Sequence, residues 1–81
     1  MINIRVCTAR ILKDRFQIEE EVTEVLFTEG ILQDHVCRNF LIKEEYFNKV
    51  DISGRQVLKN HLADRFCVST STIEKVISNH P

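Results

Sequence analysis

The feature that most constrains the fold of this chain is a pair of short amphipathic helical patterns near the C-terminus, separated by only three residues. In the first pattern, apolar side chains recur every fourth residue, as they do along one face of an α-helix: Leu58, Leu62 and Phe66. In the second they are spaced by three residues and then one: Ile73, Val76 and Ile77. Residues 67–69 between the two patterns are too few for a loop, so they predict a tight turn.

The residues around this turn predict how the two helices meet. Ser69 suits the N-cap of the second helix, because its hydroxyl can accept a hydrogen bond from the backbone N–H of Ser71 or Thr72. Ala63 is a small residue at the position where two crossing helices would touch. Residues 55–79 therefore predict a helix-turn-helix, a frame that presents its second helix to the major groove of DNA.

A helix-turn-helix has core positions that can be checked over the twenty residues 59–78. It needs apolar residues at the fourth, eighth, tenth, fifteenth and eighteenth places and a small residue at the fifth, because two steeply crossing helices share one small core. The chain supplies Leu62, Ala63, Phe66, Val68, Ile73 and Val76. All six fit the pattern, with Val68 predicted to be buried in the corner.

The segment L-A-D-R-F-C-V-S-T-S-T-I-E-K-V-I, residues 62–77, closely resembles the helix-turn-helix of bacterial and phage transcription regulators, many of which read L-A-x-x-F-G-V-S-x-x-T-I-x-x-I-I. Within that family it is most similar to Mor-like and other small regulators of phages and mobile elements. The resemblance covers residues 55–79 well, residues 40–54 loosely and residues 1–39 not at all. It departs at Cys67, where Gly is usual because Gly adopts a positive φ without strain.

The resemblance implies that residues 70–78 form a DNA recognition helix. The DNA-binding residues that it implies are Arg55, Lys59, Ser69, Thr70, Ser71, Glu74, Lys75 and Ser78. Hydroxyl and N–H groups at the start of the helix favour phosphate. Lys75 would reach a base edge or a phosphate, and Glu74 would accept a hydrogen bond from a cytosine amino group. A Ser/Thr run is also an ordinary helix cap, and a Glu–Lys pair is also ordinary solvated surface.

Charge adds a modest argument for DNA binding. The whole chain has 11 Lys and Arg against 12 Asp and Glu, a net charge of −1 that is unlike a strongly basic nucleic-acid binder. Residues 1–54 have seven basic and ten acidic residues, whereas residues 55–81 have four basic and two acidic. Since such a half would bind DNA weakly alone, a homodimer is expected, which would double the contacts and add to a small core.

Other chemistry has little support in the sequence. Cys7, Cys37 and Cys67 are odd in number and far apart, which argues against disulfides and predicts buried structural thiols in the reducing cytoplasm. No Cys or His pair has zinc-site spacing, and His61 and His80 have no nucleophile at a suggestive distance. We therefore predict no enzyme activity, metal or cofactor. No apolar run is long enough for a membrane span, and the N-terminus lacks the apolar core of a signal peptide.

Residues 1–54 also read as helical. A helix is predicted over Met1–Phe16, and Glu19–Glu21 suit the start of another that ends at Gly30. The apolar positions predicted to face inward in the following helices are Val22, Val25, Leu26, Leu32, Val36, Phe40, Phe47 and Val50. Phe40–Ile42 predict either a continuing buried helix or a bend. Ser53 and Gln56 have the spacing of a capping box for the next helix.

The chain also contains a short internal similarity. Residues 12–18, L-K-D-R-F-Q-I, resemble residues 62–68, L-A-D-R-F-C-V. This similarity indicates either a second, degenerate helix-turn-helix or two amphipathic helices that use the same common residues. The first copy lacks a Ser or Thr cap after its turn.

Together these patterns predict one all-α domain over residues 1–81, a small bundle of about five helices. Residues 43–50, 54–66 and 70–78 would form a C-terminal trihelical helix-turn-helix. The predicted function is a sequence-specific transcriptional regulator that binds double-stranded DNA as a homodimer, with residues 1–39 for dimerisation or a protein partner. The alternatives are an adaptor or inhibitor that uses this fold without DNA, and a subunit of a larger nucleoprotein machine.

Overall fold

The structure is a computed structural model that describes residues 2–78. Over those residues it has no strands and five helices: α1 (Ile4–Phe16), α2 (Glu20–Thr28), α3 (Asp34–Lys49), α4 (Arg55–Phe66) and α5 (Thr70–Ser78). The all-α prediction is therefore confirmed. Parts of three sequence predictions, at Met1, Asn79 and His80, lie outside the described residues. No helix within residues 2–78 combines the length and apolar character needed to cross a membrane.

The chain divides into two compact units, and the division falls inside α3. The N-terminal unit is Asn3–Leu41, which contains α1, α2 and the first half of α3. The C-terminal unit contains the described residues from Ile42 onwards, with Ile2. It therefore holds the second half of α3 together with α4 and α5.

Local sequence sets the helix ends in the N-terminal unit. The Asn3 side chain caps α1 by accepting a hydrogen bond from the N–H of Val6 at 3.1 Å. Gln17 follows α1 in the left-handed region of backbone conformation, with φ of 60°, and the helix ends there. Acidic residues occupy the first turn of α2, where the helix dipole favours negative charge. Gly30, with φ of +78°, follows the end of α2, as predicted.

The inward faces predicted for the N-terminal unit are only partly right. In α2 the buried residues are Thr23 and Phe27, one turn apart, and Leu26 is half-buried, while Val22 and Val25 are 49% and 55% exposed. Successive helix residues project about 100° apart, so burying the Thr23 stripe leaves the neighbouring valines at the surface.

The start of α3 shows the same kind of difference. Cys37 and Leu41 are buried there and Leu32 is half-buried, while Val36 and Phe40 are exposed.

In α3 the chain continues through Phe40–Ile42 without a bend, so residues 43–50 are not a separate helix. Ile42 is fully buried and Tyr46, one turn later, is buried as well. The prediction that Phe47 points inward is wrong, because Tyr46 occupies that stripe. Phe47 is exposed and lies edge-on to the Tyr46 ring, with centroids 5.2 Å apart. Val50, after the helix, is half-buried.

The capping box predicted before α4 is wrong. The N-cap is Gly54, which provides no side-chain hydrogen bond. Ser53 belongs instead to the turn that closes α3, where its N–H donates to the carbonyl of Lys49 at 2.9 Å. Gln56 does not reach back to the cap; its side-chain amide donates to the Asn60 oxygen at 3.2 Å, one turn along α4.

The C-terminal unit places α4 against α5 around an apolar core. Its buried members are Leu58, Leu62, Ala63, Phe66, Ile73 and Val76. Burying each of the large side chains contributes roughly 1.5–3 kcal/mol. Val68 is half-buried rather than buried, because it lies on the turn outside both helices. Of the three thiols predicted to be buried, only Cys37 is; Cys7 is half-buried and Cys67, on the turn, is exposed.

Candidate nucleic-acid interface

The turn between α4 and α5 begins with a C-terminal cap of α4 in which one residue adopts the left-handed backbone conformation. Cys67 has φ of 57° and ψ of 44°. Its N–H donates to the carbonyl of Asp64 at 3.3 Å, and the N–H of Val68 donates to the carbonyl of Ala63 at 3.0 Å. These two bonds form the Schellman pair that satisfies the last carbonyls of a helix. The positive φ at a non-glycine residue costs about 1 kcal/mol, which the paired hydrogen bonds and core on either side offset.

Ser69 is the N-cap of α5, as the sequence predicts. The N–H of Thr72 donates to Ser69 Oγ at 3.2 Å, and the two hydroxyl oxygens of Ser69 and Thr72 lie 3.0 Å apart. The N–H of Ile73 donates to the Ser69 carbonyl at 3.2 Å, which is the first bond of the helix. Ser69 therefore orients the first turn of α5, whose early N–H groups have no partner within the helix and face outward at its start.

One face of α5 gathers four of the predicted DNA-binding residues. Ser71, Glu74, Lys75 and Ser78 lie at i, i+3, i+4 and i+7 and are all exposed, so they form one stripe on the helix surface. Thr70, at the start of the helix, is half-buried. The stripe offers two hydroxyls, one cation and one carboxylate to a partner.

The cations of α4 are arranged unequally around this stripe. Lys59 is joined to α5, because its Nζ lies 3.9 Å from Glu74 Oε1. Arg55 is exposed at the start of α4. Within residues 2–78, neither Arg55 nor Lys75 forms an ion pair. Among the described residues, the site therefore has two cations without an acidic partner and one that is paired with Glu74.

Arg65 points to a different part of the unit. Its Nη2 lies 3.0 Å from Glu45 Oε1 on α3, and the other carboxylate oxygen of Glu45 is buried without a hydrogen-bond partner in the described part of the chain. This ion pair ties the end of α4 to α3. It leaves Arg65 as a structural contact rather than a member of the α5 stripe.

Sequence reasoning did not find the Lys59–Glu74 and Glu45–Arg65 pairs. The partners are 15 and 20 residues apart and lie on different helices, so no helical periodicity relates them. The positions of Lys59, one turn into α4, and Glu74, midway along α5, predict an ion pair only once the crossing of the two helices is known.

Comparison of the chain with protein-family models, with curated proteins and with solved structures gave no match. The resemblance to helix-turn-helix regulators therefore depends on the residues of α4, the turn and α5 themselves. Within residues 2–78, no three His, Cys, Asp or Glu side chains are grouped to hold a metal ion.

Proposed function

We propose that this protein is a small sequence-specific DNA-binding transcriptional regulator of the helix-turn-helix type. In this proposal α5 (Thr70–Ser78) is the recognition helix and enters the major groove. Lys75 contacts a base edge or a phosphate, Glu74 accepts a hydrogen bond from cytosine, and the first turn of α5 binds a phosphate. Arg55 and Lys59 contact the DNA backbone from α4.

The observation that carries this proposal is the combination of a fixed corner with a polar outer stripe on α5. The Schellman turn at Cys67 and the Ser69 cap set the angle and start of α5. Buried Ile73 and Val76 hold one side of α5 against α4, which leaves the opposite side, with Lys75, to solvent. A recognition helix needs this arrangement, with apolar residues on one side and hydrogen-bonding groups on the other.

The charge of the site favours a dimeric regulator. Residues 55–81 have only two more basic than acidic residues, so one copy would neutralise few phosphates. Two copies on a two-fold symmetric site would double those contacts, with half-sites about one DNA turn apart. A homodimer is therefore part of the proposed function.

The test is fluorescence anisotropy of the full chain with random-sequence duplex DNA, at about 50 mM and about 200 mM salt. Binding is expected at the lower salt and should weaken steeply at the higher. Lys75→Glu should weaken binding to every sequence by about tenfold or more, and Lys49→Glu, the same charge reversal at the end of α3, should not.

Two results would contradict the proposal in different ways. No binding at the lower salt, by a chain shown to be helical, would end the DNA hypothesis. Equal binding by Lys75→Glu and the unchanged chain would mean that α5 is not the contacting helix. If the chain binds DNA through α5, a selection of binding sites from the random pool measures its sequence specificity directly.

A second candidate function has one observation in its favour. Lys59 and Arg65, two of the four cations of residues 55–78, are each paired with a carboxylate, and Glu74 lies in the middle of the α5 stripe. That face suits a protein partner with its own mixture of charges. An adaptor or inhibitor with this fold would be folded and helical, would fail to bind DNA even at the lower salt, and would use the α5 stripe for protein binding.

A further inference from the structure

The N-terminal unit has an open apolar groove between α1 and α3. The groove has a volume of about 310 Å³ and its main apolar lining residues are Ile11, Leu12, Phe16, Leu32, Val36 and Phe40. Phe16 is 63% exposed and Val36 is 53% exposed. Phe40 is 42% exposed as well, so folding of a single chain leaves three large apolar side chains in water along one groove, which is typical of a binding surface.

The same unit has a second apolar surface on α2. Val22 and Val25 lie at i and i+3, both about half exposed, and form a short stripe (the α2 stripe). Glu21 and Glu29, which are exposed, border this stripe. The sequence pattern predicts an inward face here, but in the part of the chain that the structure describes both valines remain about half exposed. An amphipathic helix with such a stripe is the kind of element that fits an apolar groove.

The charges of the two surfaces are complementary. Helix α1, which forms one wall of the groove, has four basic residues and one acidic residue. Helix α2 has three acidic residues and none that are basic. Arg15 is the one charged residue in the groove lining, and Glu21 and Glu29 border the stripe. A copy of α2 entering the groove would bring carboxylates to the side of a guanidinium.

We infer that the groove between α1 and α3 receives the α2 stripe of a second copy of this chain. Each copy has one groove and one stripe, so two copies related by a two-fold axis exchange α2 helices reciprocally and both contacts are satisfied at once. Only the purpose of this dimer depends on the proposed function, because the interface is built entirely from residues of Asn3–Leu41.

A second copy explains more of the surface than a small apolar ligand does. A ligand in the groove would cover Phe16 and Val36 but would leave Val22 and Val25 in water. It would also make no use of the acidic border of the α2 stripe. The reciprocal dimer covers both apolar surfaces and brings the acidic border of the α2 stripe beside the more basic helix α1.

The first experiment is sedimentation equilibrium of the full chain and of three valine variants. Val36→Glu places a carboxylate in the groove, and Val25→Glu places one on the stripe. Val57→Glu is the control, since Val57 is 68% exposed on α4 and belongs to neither surface. The unchanged chain and the control should be dimers, while each of the other variants should raise the dissociation constant by roughly a hundredfold, with unchanged helical circular dichroism.

A mixing experiment tests the reciprocal arrangement itself. A dimer of one Val36→Glu chain and one Val25→Glu chain retains one intact groove facing one intact stripe. The equimolar mixture should therefore associate more tightly than either variant alone. If Val25→Glu dimerises like the unchanged chain, the groove does not receive α2, and if the unchanged chain is monomeric at all concentrations, the dimer does not exist.

The DNA assay separates failure of this interface from failure of the proposed function. A Val25→Glu monomer should still bind DNA, more weakly than the dimer, and should still respond to Lys75→Glu. If Lys75→Glu weakens DNA binding while the unchanged chain sediments as a monomer, the interface is wrong and DNA binding by α5 stands. If the chain dimerises through α2 and binds no DNA, the interface stands and the proposed function fails.

Discussion

Two pairs of consecutive helices in this chain have similar helix ends and turns, 50 residues apart. They are α1–α2, the N-terminal corner, and α4–α5, the C-terminal corner. Phe16 and Phe66 end the first helices, and the next residues, Gln17 and Cys67, both adopt the left-handed conformation. The second helices begin four residues after the first ones end and are nine residues long in both corners. The short similarity between residues 12–18 and 62–68 therefore lies at matching helix ends and turns in the two corners.

The two corners differ most on the outer face of the second helix. Glu19–Glu21 occupy the places that Ser69–Ser71 occupy in the C-terminal corner, and Val25 occupies the place of Lys75. Acidic groups at these places would repel phosphate, whereas hydroxyls and a cation attract it. The two corners therefore share similar helix ends and turns, but the outer face of α2 is acidic and apolar, whereas that of α5 has hydroxyl groups and a cation. The turn and caps set the direction of the second helix, and the residues on its outer face determine which class of partner it suits.

The cores differ as well, and the largest expected effect tests this. Phe66 is only 6% exposed, whereas Phe16, its counterpart, is 63% exposed. Phe66→Ala should destabilise the chain by about 3–5 kcal/mol, through lost burial and the cavity left behind. Phe16→Ala should change the stability of the monomer by less than about 0.5 kcal/mol. Urea unfolding followed by circular dichroism measures both.

Both variants should be compared at one low protein concentration, at which the chain is monomeric, because association adds to apparent stability. Similar losses for Phe66→Ala and Phe16→Ala would mean that the two corners share one kind of core. In that case the exposed groove of the N-terminal unit would be covered within the single chain.

The success of prediction from sequence also differs between the corners. Around Cys67 and Ser69 the determinants are local. The three residues between the two helical patterns are too few for a loop, and the Ser69 hydroxyl lies beside N–H groups that lack a partner within the helix. The turn and the cap could therefore both be predicted. At Val22, Val25 and Val36, periodicity identified apolar stripes but placed them in the core. Periodicity states which residues share a face; it does not state whether the same chain or another molecule covers that face.

Two further failures have the same physical origin. Ser53 has the spacing of a capping residue, but the turn that closes α3 uses its N–H first, and the sequence does not show where α3 ends. Lys59 and Glu74 meet only because α4 and α5 cross. Local chemistry was predictable here, whereas contacts that depend on the path of the chain were not.

Buried threonines provide the second test of the comparison. Thr8 and Thr23 are buried with hydroxyls that lack a partner among the described residues, and their counterparts in the C-terminal corner are Leu58 and Ile73. Thr23→Val removes an unsatisfied hydroxyl while keeping the shape of the side chain, and should stabilise the chain by about 1–2 kcal/mol in urea unfolding. Thr28→Val is the control on the exposed side of α2: its hydroxyl donates to the Glu24 carbonyl at 2.9 Å, but water can replace an exposed bond of this kind, so stability should change little. A loss of stability for Thr23→Val would show that its hydroxyl has a partner in solution.

The smallest expected effect concerns the caps of the second helices, which are unequal in the two corners. Ser69 accepts a hydrogen bond from Thr72, whereas Glu19, its counterpart, makes no side-chain capping bond. Ser69→Ala should cost about 1 kcal/mol of stability. Glu19→Asp keeps the negative charge at the start of α2 and shortens the side chain to one that caps well, so it should add roughly 0.5 kcal/mol.

Glu29→Asp is the matched control for the cap of α2. It makes the same change beyond the far end of α2, where no unpaired N–H groups await an acceptor, so it should leave the unfolding midpoint in place. If Glu19→Asp and Glu29→Asp have the same effect, the missing cap is not what separates the corners. If only Glu19→Asp stabilises the chain, the extra methylene of Glu19 accounts for the weaker start of α2, because it holds the carboxylate away from the first N–H groups of that helix. Ser69 reaches the equivalent N–H group at the start of α5.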